Sequence, residues 1–179
     1  MAVTDLYNAE FMDHVSHPDY KYQMDCPDCT HEGVNPSCGD ELTFSVRFAN
    51  DGTIDEAAFT GHGCAISQAS ADIMSDLMVG KTPEQAMGLC KLFMQMVRGE
   101  VSEDDPRIDE LEDAAILKDI AHMPARVKCA ELAWRTLDEM LATGADSASA
   151  ADPCVCDCGD HASHDHASAE ANPAEKDGE

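Results

Sequence analysis

Residues 35–67 read NPSCGDELTFSVRFANDGTIDEAAFTGHGCAIS, and the spacing of their apolar side chains changes twice along the stretch. Between residues 42 and 48 apolar and polar side chains alternate, which is typical of a half-buried strand. Turn residues at 50–52 then reverse the chain into a second strand over 54–60, so the pair predicts a hairpin. After residue 63 the apolar side chains recur at helical spacing, which predicts a helix that ends at Gly80.

Helical patterns lie on both sides of this hairpin. Before it, apolar residues spaced four apart over 7–15 predict a first helix, with Thr4 as its N-cap. After it, residues 82–85 read TPEQ, a capping box that opens a helix ending at Gly99. A further helix is predicted around 108–121. The order of these elements predicts an α+β fold, a small antiparallel sheet packed against helices.

A last helix is predicted to open at Pro124, and the composition changes soon after it, near Thr143. Residues 143–179 contain no Leu, Ile, Phe, Trp or Tyr, so they cannot bury enough apolar surface to fold and are expected to form a disordered acidic tail. The chain is therefore divided into a domain over 1–142 and a tail over 143–179.

Composition excludes several classes of partner. The formal net charge is −25, from 36 acidic and 11 basic residues, which argues against binding to nucleic acid or to anionic membranes. The polar start, residues 1–10, has neither a membrane span nor a signal peptide, so we expect a cytoplasmic protein whose thiols stay reduced. Nine cysteines in that setting point to metal binding or thiol chemistry.

Four residues form the candidate metal site. Cys38 and Asp40 lie in a turn before the first strand, and Cys64 lies where a glycine-rich turn becomes a helix, a position that favours thiolate. Cys129 lies early in the last helix, beside its buried stripe. Three thiolates and one carboxylate make a tetrahedral set that suits zinc. Cys90, on an apolar helix face, is expected to be a small buried hydrophobe.

Three blocks, NPSCGD (35–40), GHGCAIS (61–67) and ARVKCAELAW (125–134), resemble the signature blocks of the U-type iron–sulfur assembly proteins, in the same order. The start, LYNAEFMDHVSHP, is similar to their N-terminal helix, and the resemblance covers roughly residues 4–142. Within the superfamily the chain most resembles the SufU branch. Lys128 stands where the IscU-type scaffolds carry His, Arg126 matches the SufU pattern, and the separation between Cys64 and Cys129 is longer than in the scaffold branch.

The resemblance implies a function and assigns the site. By it, zinc would be bound by Cys38, Asp40, Cys64 and Cys129. The protein would accept sulfane sulfur from a SufS-like cysteine desulfurase and pass it towards a downstream iron–sulfur assembly scaffold. Cys38 would carry the persulfide, and Arg126 would steady its thiolate or contact the partner. Whether such a sulfur acceptor counts as an enzyme, a sulfurtransferase, is left open.

Two other functions remain open at this point. The same thiolates could build a [2Fe–2S] cluster on a scaffold of the IscU type, because iron–sulfur clusters also take thiolate ligands. A metal buffer or metallochaperone is the third possibility, since the tail carries three Cys and three His between residues 154 and 166.

The chain also departs from the family. Residues 20–34 do not resemble its leading strand and instead contain Cys26 and Cys29, a C-x2-C pair that is half of a zinc site. His62, two positions before Cys64, is close enough in sequence to contact the metal site.

Overall fold

Three antiparallel strands form one sheet in the order β1-β2-β3, and helices pack against it. The structure is a computed structural model that describes residues 8–102 and 104–147. Its elements, in chain order, are α1 (Ala9–Ser16), β1 (Cys29–Asn35), β2 (Asp40–Phe48), β3 (Ile54–His62), α2 (Ala65–Met78), α3 (Pro83–Val97), a 3₁₀ segment (Pro106–His122) and α4 (Pro124–Ser147). The predicted α+β class is confirmed.

The hairpin predicted from residues 42–60 is the β2–β3 pair. Its alternating residues place Leu42, Phe44 and Val46 in the core with no exposed surface, and Phe44 stacks on Phe59 across the pair with ring centroids 5.8 Å apart. Gly52 holds the turn with a φ of 84°. Asp40 is the first residue of β2, and α2 begins three residues after the end of β3.

Helices α2, α3 and α4 pack together beneath the sheet's core residues. The Trp134 ring of α4 stacks on Phe93 of α3, with centroids 3.9 Å apart. Its indole Nε1 donates to Ser70 Oγ of α2 at 2.9 Å, and that hydroxyl donates to the Ala130 carbonyl at 2.7 Å. The indole N–H and the Ser70 hydroxyl are thereby both paired, which links the first turns of α4 to α2. None of the helices in residues 8–102 and 104–147 has the length and apolar character that crossing a membrane requires.

Residues 20–34 did not resemble the family's leading strand, but β1 begins within them, spans Cys29–Asn35 and pairs with β2 over its whole length. The buried positions of β1 are Gly33 and Asn35, so the strand lacks the apolar alternation that would reveal it. A Cβ at Gly33 would lie 2.0 Å from Thr136 Oγ1, which shows how closely α4 crosses this strand.

Three further elements differ from expectation. Helix α1 is capped by Asn8, whose side chain accepts from Phe11 N at 2.8 Å; Thr4 lies outside the described residues. Residues 106–122 form 3₁₀ turns broken at Glu112, which has a φ of 48°. Helix α4 continues to Ser147, past the compositional change near residue 143. The predicted disordered tail lies, from residue 148 onwards, outside the described residues.

Candidate metal centre

The turn between β1 and β2 presents one ligand candidate outward and the other inward. The backbone N–H groups of Cys38 and Gly39 both donate to the Asn35 carbonyl, at 3.2 and 3.0 Å. Gly39 has a φ of 69°, the left-handed conformation that closes the turn. Cys38 is therefore exposed at the tip of the turn, whereas Asp40, the first residue of β2, is fully buried.

Cys64 is the N-cap residue of α2, as its glycine-rich setting predicted. Its backbone N–H donates to Asp40 Oδ1 at 2.7 Å, so the carboxylate lies at the start of α2, where the helix dipole favours negative charge. The preceding Gly63 has no space for a side chain, because a Cβ there would lie 2.3 Å from Ser67 Oγ and 3.1 Å from Asp40 Oδ1. The close approach of the 61–64 turn to Asp40 thus depends on glycine.

Cys129 is fully buried in the second turn of α4. The prediction that it lies at the margin of a buried stripe was wrong, because β1, α2 and α3 all pack on α4 and bury every residue from 129 to 134. Its thiol nevertheless faces the site: Cys129 Sγ lies 3.1 Å from Cys38 Sγ and 3.4 Å from Asn35 Nδ2.

Cys38, Asp40 and Cys129 form one cluster, with a potential ligand atom from each within 4.8 Å of the others. Cys64 stands outside this cluster but beside it, since it raises the pKa of the Cys129 thiol through both charge and a hydrogen bond. Sulfur donors with one carboxylate oxygen fit zinc, which binds both types tetrahedrally. The thiols equally fit ligation of an iron–sulfur cluster.

The ligand candidates of the cluster lie so close together that their ionised forms would repel one another, and a bound cation would relieve this repulsion. Burial is the largest cause that raises the pKa of the Cys129 thiol, and Cys38, Cys64 and Asp40 raise it further. The exposed Arg126 guanidinium supplies one positive charge, with Nη1 4.0 Å from Cys38 Sγ. The pKa of Arg126 is raised most by the charge of Cys64. The second largest cause is the hydrogen bond that Arg126 makes to Cys129. Arg126 therefore lies at the open side of the cluster.

Sequence reasoning missed Asn35, which is 3% exposed and whose amide nitrogen donates to Asp40 Oδ2 at 2.9 Å as well as to Cys129. The sequence did offer a reason to consider Asn35, because it is the first residue of the NPSCGD block. A short polar residue at a buried strand end, five positions before a buried carboxylate, is a natural donor to that carboxylate.

The other candidates are not members of the cluster. His62 is exposed at the end of β3, and Lys128 is exposed on α4, where it lines a small cleft of about 130 Å³ with Arg135. Cys90 is fully buried as predicted, and burial strongly raises the pKa of its thiol. Cys26 is disulfide-bonded and Cys29 is a free thiol, so the two are not a pair of thiols. The Cys and His residues between 154 and 166 lie outside the described residues.

The chain is similar to known proteins of one family. Residues 6–130 match the model of the NifU-like N-terminal domain. The iron–sulfur cluster assembly scaffold protein IscU of Streptococcus pyogenes is 37% identical over 142 residues, which is 79% of this chain and 86% of its own length. The zinc-dependent sulfurtransferase SufU of Bacillus subtilis is 36% identical over 137 residues, 76% of this chain and 90% of its own.

A solved structure gives the same result for the fold. The crystal structure of FiSufU, described as an assembly scaffold for the SUF system of Fervidobacterium islandicum, superposes with a TM-score of 0.69 at 33% identity. The match covers 78% of this chain and 99% of FiSufU.

Proposed function

Since the chain belongs to the family of the NifU-like N-terminal domain, we propose that it acts in iron–sulfur cluster assembly as a zinc-dependent sulfur acceptor. The general assignment, to cluster assembly of the IscU/SufU type, rests on the relatives from S. pyogenes and B. subtilis. The specific role is argued from the site. Persulfide transfer needs reduced thiols at the site. Cys38, Cys64 and Cys129 are free thiols although Cys26 is disulfide-bonded, and a cytoplasmic location would keep the three reduced.

The observation that carries the proposal is the exposed Cys38 thiol, held 3.1 Å from the buried thiol of Cys129 and in one cluster with Asp40. Cys38, Asp40 and Cys129, completed by Cys64, would hold the zinc. When bound, zinc keeps its cysteine ligands deprotonated near neutral pH. Cys129 is fully buried and Cys64 is partly buried, whereas Cys38 is exposed, so Cys38 is the thiol of the site that is most accessible to a partner.

The proposed transfer is a thiol–persulfide exchange. The Cys38 thiolate attacks the terminal sulfur of a cysteine persulfide on a SufS-like cysteine desulfurase, and the new S–S bond forms as the old one breaks. The donor leaves as a thiolate and Cys38 becomes the persulfide, so no outside oxidant or reductant is needed. Arg126, next to Cys38 Sγ, would stabilise the negative charge that the exchange places there. A downstream iron–sulfur assembly scaffold would then receive the sulfur.

The second candidate function is a scaffold for a [2Fe–2S] cluster. Relatives described as scaffolds favour it, and the thiolates of the site fit it. Lys128 favours the sulfur acceptor, because the residue before the third cysteine is His in the IscU-type scaffolds that the sequence resembles. A metal buffer would depend on the Cys and His residues of 148–179.

Turnover of the cognate desulfurase tests the proposal. We expect the zinc-loaded protein to stimulate turnover strongly, Cys38→Ala to abolish the stimulation, and Cys90→Ala, which alters a buried thiol outside the cluster, to retain it. Zinc content and unfolding of each variant show whether Cys38→Ala remains loaded and folded. Peptide mass after alkylation should place the added sulfur on Cys38. Absence of stimulation by the wild-type protein, together with cluster formation on iron reconstitution, would replace the proposal with the scaffold function.

We also propose that the domain is sufficient without the tail. All four ligand candidates lie between residues 38 and 129, and α4 ends at Ser147. A chain ending after Ser147 should therefore retain zinc and stimulate the desulfurase. A fall from two bound zinc equivalents to one on truncation would show that the tail binds metal separately, and loss of the last equivalent would contradict the proposed domain boundary.

A further inference from the structure

The buried side-chain amide of Asn35 hydrogen-bonds to two of the ligand candidates, Asp40 and Cys129. Asn35 Nδ2 donates to Asp40 Oδ2 at 2.9 Å and to Cys129 Sγ at 3.4 Å, although Cys129 is 94 positions away in the chain. The amide oxygen, Oδ1, accepts from Ser37 N at 3.3 Å. This pattern fixes the orientation of the amide, because its nitrogen faces two acceptors and its oxygen faces a donor.

The backbone of Asn35 serves a different part of the centre. Its carbonyl accepts from the N–H groups of Cys38 and Gly39, which shapes the turn that carries the exposed thiol. A substitution of the Asn35 side chain leaves these two bonds in place. The side chain and the main chain of one residue can therefore be tested separately.

The two bonds that the Asn35 amide nitrogen donates both go to buried residues of the cluster. Asp40 and Cys129 have no exposed surface, whereas Cys38 is exposed. A carboxylate and a thiolate that are removed from water need hydrogen-bond donors, and bonds to charged acceptors are the stronger ones. Two groups donate hydrogen bonds to the Asp40 carboxylate within residues 8–102 and 104–147. One is the Asn35 side chain and the other is the backbone N–H of Cys64.

We infer that Asn35 is a positioning residue that holds Asp40 and Cys129 as a fixed pair of ligands while Cys38 leaves the metal to exchange sulfur. This inference rests on the proposed function, because it concerns the same metal centre and the same departing thiol. It explains why the amide bonds to the two ligands that stay and not to the one that moves. Partners that orient metal ligands typically change metal affinity by about 10–100-fold when they are removed.

The competing explanation is that Asn35 only stabilises its turn through the Oδ1 bond to Ser37 N. Two substitutions separate these roles. Asn35→Asp keeps an oxygen to accept from Ser37 N but replaces the donor to Asp40 with a second carboxylate oxygen. Asn35→Ala removes both. A turn role predicts that Asn35→Asp is nearly neutral, whereas a positioning role predicts that both substitutions impair the centre.

The test measures zinc affinity by competition with a chromogenic chelator, and the geometry of the site by the Co²⁺ ligand-field and thiolate charge-transfer bands. Full-length Asn35→Ala and Asn35→Asp are compared with the wild type and with Ser37→Ala, a control whose backbone N–H makes the same bond. Both variants are also made in a Cys38→Ser background. Thermal unfolding of each metal-free protein measures any purely structural effect.

We expect zinc affinity to fall about 10–100-fold in both Asn35 variants, with altered Co²⁺ bands and unchanged affinity in Ser37→Ala. The loss should be larger in the Cys38→Ser background, where the buried ligands carry more of the binding. Wild-type affinity and bands in Asn35→Asp would overturn the inference, and so would a loss no larger in the Cys38→Ser background than in the wild type. Should Asn35→Ala not fold, Asn35→Asp alone decides. A wild type that binds no zinc would instead refute the proposed function.

Discussion

Cys38 Sγ and Cys129 Sγ lie 3.1 Å apart, although 91 positions separate the two residues and one is exposed while the other is fully buried. The contact requires the β1–β2 turn to meet the second turn of α4, so the site exists only in the folded chain. The pKa of Cys129 is raised by burial and by its neighbours, which favours the protonated thiol until a cation enters. If the protein binds zinc as proposed, metal binding and folding are therefore expected to be coupled.

That coupling predicts stabilisation by zinc. A ligand that binds only the folded state at a free concentration one hundred times its Kd adds about 2.7 kcal/mol to the free energy of unfolding. We expect this increment in urea unfolding followed by the fluorescence of Trp134, the single tryptophan. Cys129→Ala should lose most of it, whereas Cys90→Ala should keep it, because Cys90 is buried outside the cluster. An equal loss in both variants would contradict a metal centre at Cys129.

Gly63→Ala should weaken metal binding without unfolding the protein. The added Cβ would lie 2.3 Å from Ser67 Oγ and 3.1 Å from Asp40 Oδ1, so the Ser67 hydroxyl must move and the Asp40 carboxylate must shift slightly from its position. We expect zinc affinity, measured by chelator competition, to fall about tenfold or more. Gly88→Ala in α3 is the matched control, because nothing lies within 4 Å of its Cβ. The control should gain up to about 1 kcal/mol of stability at unchanged zinc affinity. Unchanged affinity in Gly63→Ala would contradict the expectation that zinc binding depends on the close approach of the 61–64 turn to Asp40.

The parts of the fold that sequence patterns predicted are those whose cause is local. The capping box of α3 is present as expected, with Thr82 accepting from Gln85 N at 3.3 Å and Gln85 accepting from Thr82 N at 2.9 Å. Strand β1 could not be found in this way, because Gly33 is buried by a helix a hundred residues later rather than by an apolar pattern of its own. The break at Glu112 also has no local signal.

The site was predictable to a similar extent. The signature blocks singled out Cys38, Asp40, Cys64 and Cys129, and the structure gathers three of them in one cluster with Cys64 beside it. Their burial was not predictable, because it depends on how α4 is enclosed by its neighbours. The bond from Asn35 to Asp40 spans five positions and could have been inferred, but its bond to Cys129 spans 94 positions, which no spacing in a single sequence reveals.

The close crossing of β1 and α4 gives a second test of the fold. Gly33→Ala would place a Cβ 2.0 Å from Thr136 Oγ1 and 3.3 Å from Leu132 Cδ1, an overpacked arrangement that typically lowers stability by about 1–3 kcal/mol. Thr136→Ala removes the oxygen, so in the double variant it should recover much of the loss in urea unfolding. The two effects should therefore be non-additive. Strict additivity would show that β1 does not approach α4 at this point.

Tyr20 predicts how stability changes at alkaline pH. Its O–H donates to the Asp76 carboxylate, and this bond, more than burial, raises the pKa of Tyr20 from 10.0 to about 12. Because the folded-state pKa is the higher one, the associated stability is complete below pH 10 and is lost as pH rises to about 12. Tyr20→Phe should thus be less stable than the wild type below pH 10, by about 1 kcal/mol or less for a partly exposed bond.

The difference between wild type and Tyr20→Phe should then narrow as pH rises from 10 to about 12, measured by urea unfolding at each pH. Tyr22→Phe is the control at a second site, since burial is the first cause that raises the pKa of Tyr22 to about 12 and its bond to Glu56 is the second. Tyr22→Phe should leave the pH dependence assigned to Tyr20 unchanged, because Tyr20 bonds to Asp76 of α2 whereas Tyr22 bonds to Glu56 of β3. A stability difference for Tyr20→Phe that stays constant across this range would show that the Tyr20–Asp76 bond does not hold the phenol in its protonated form.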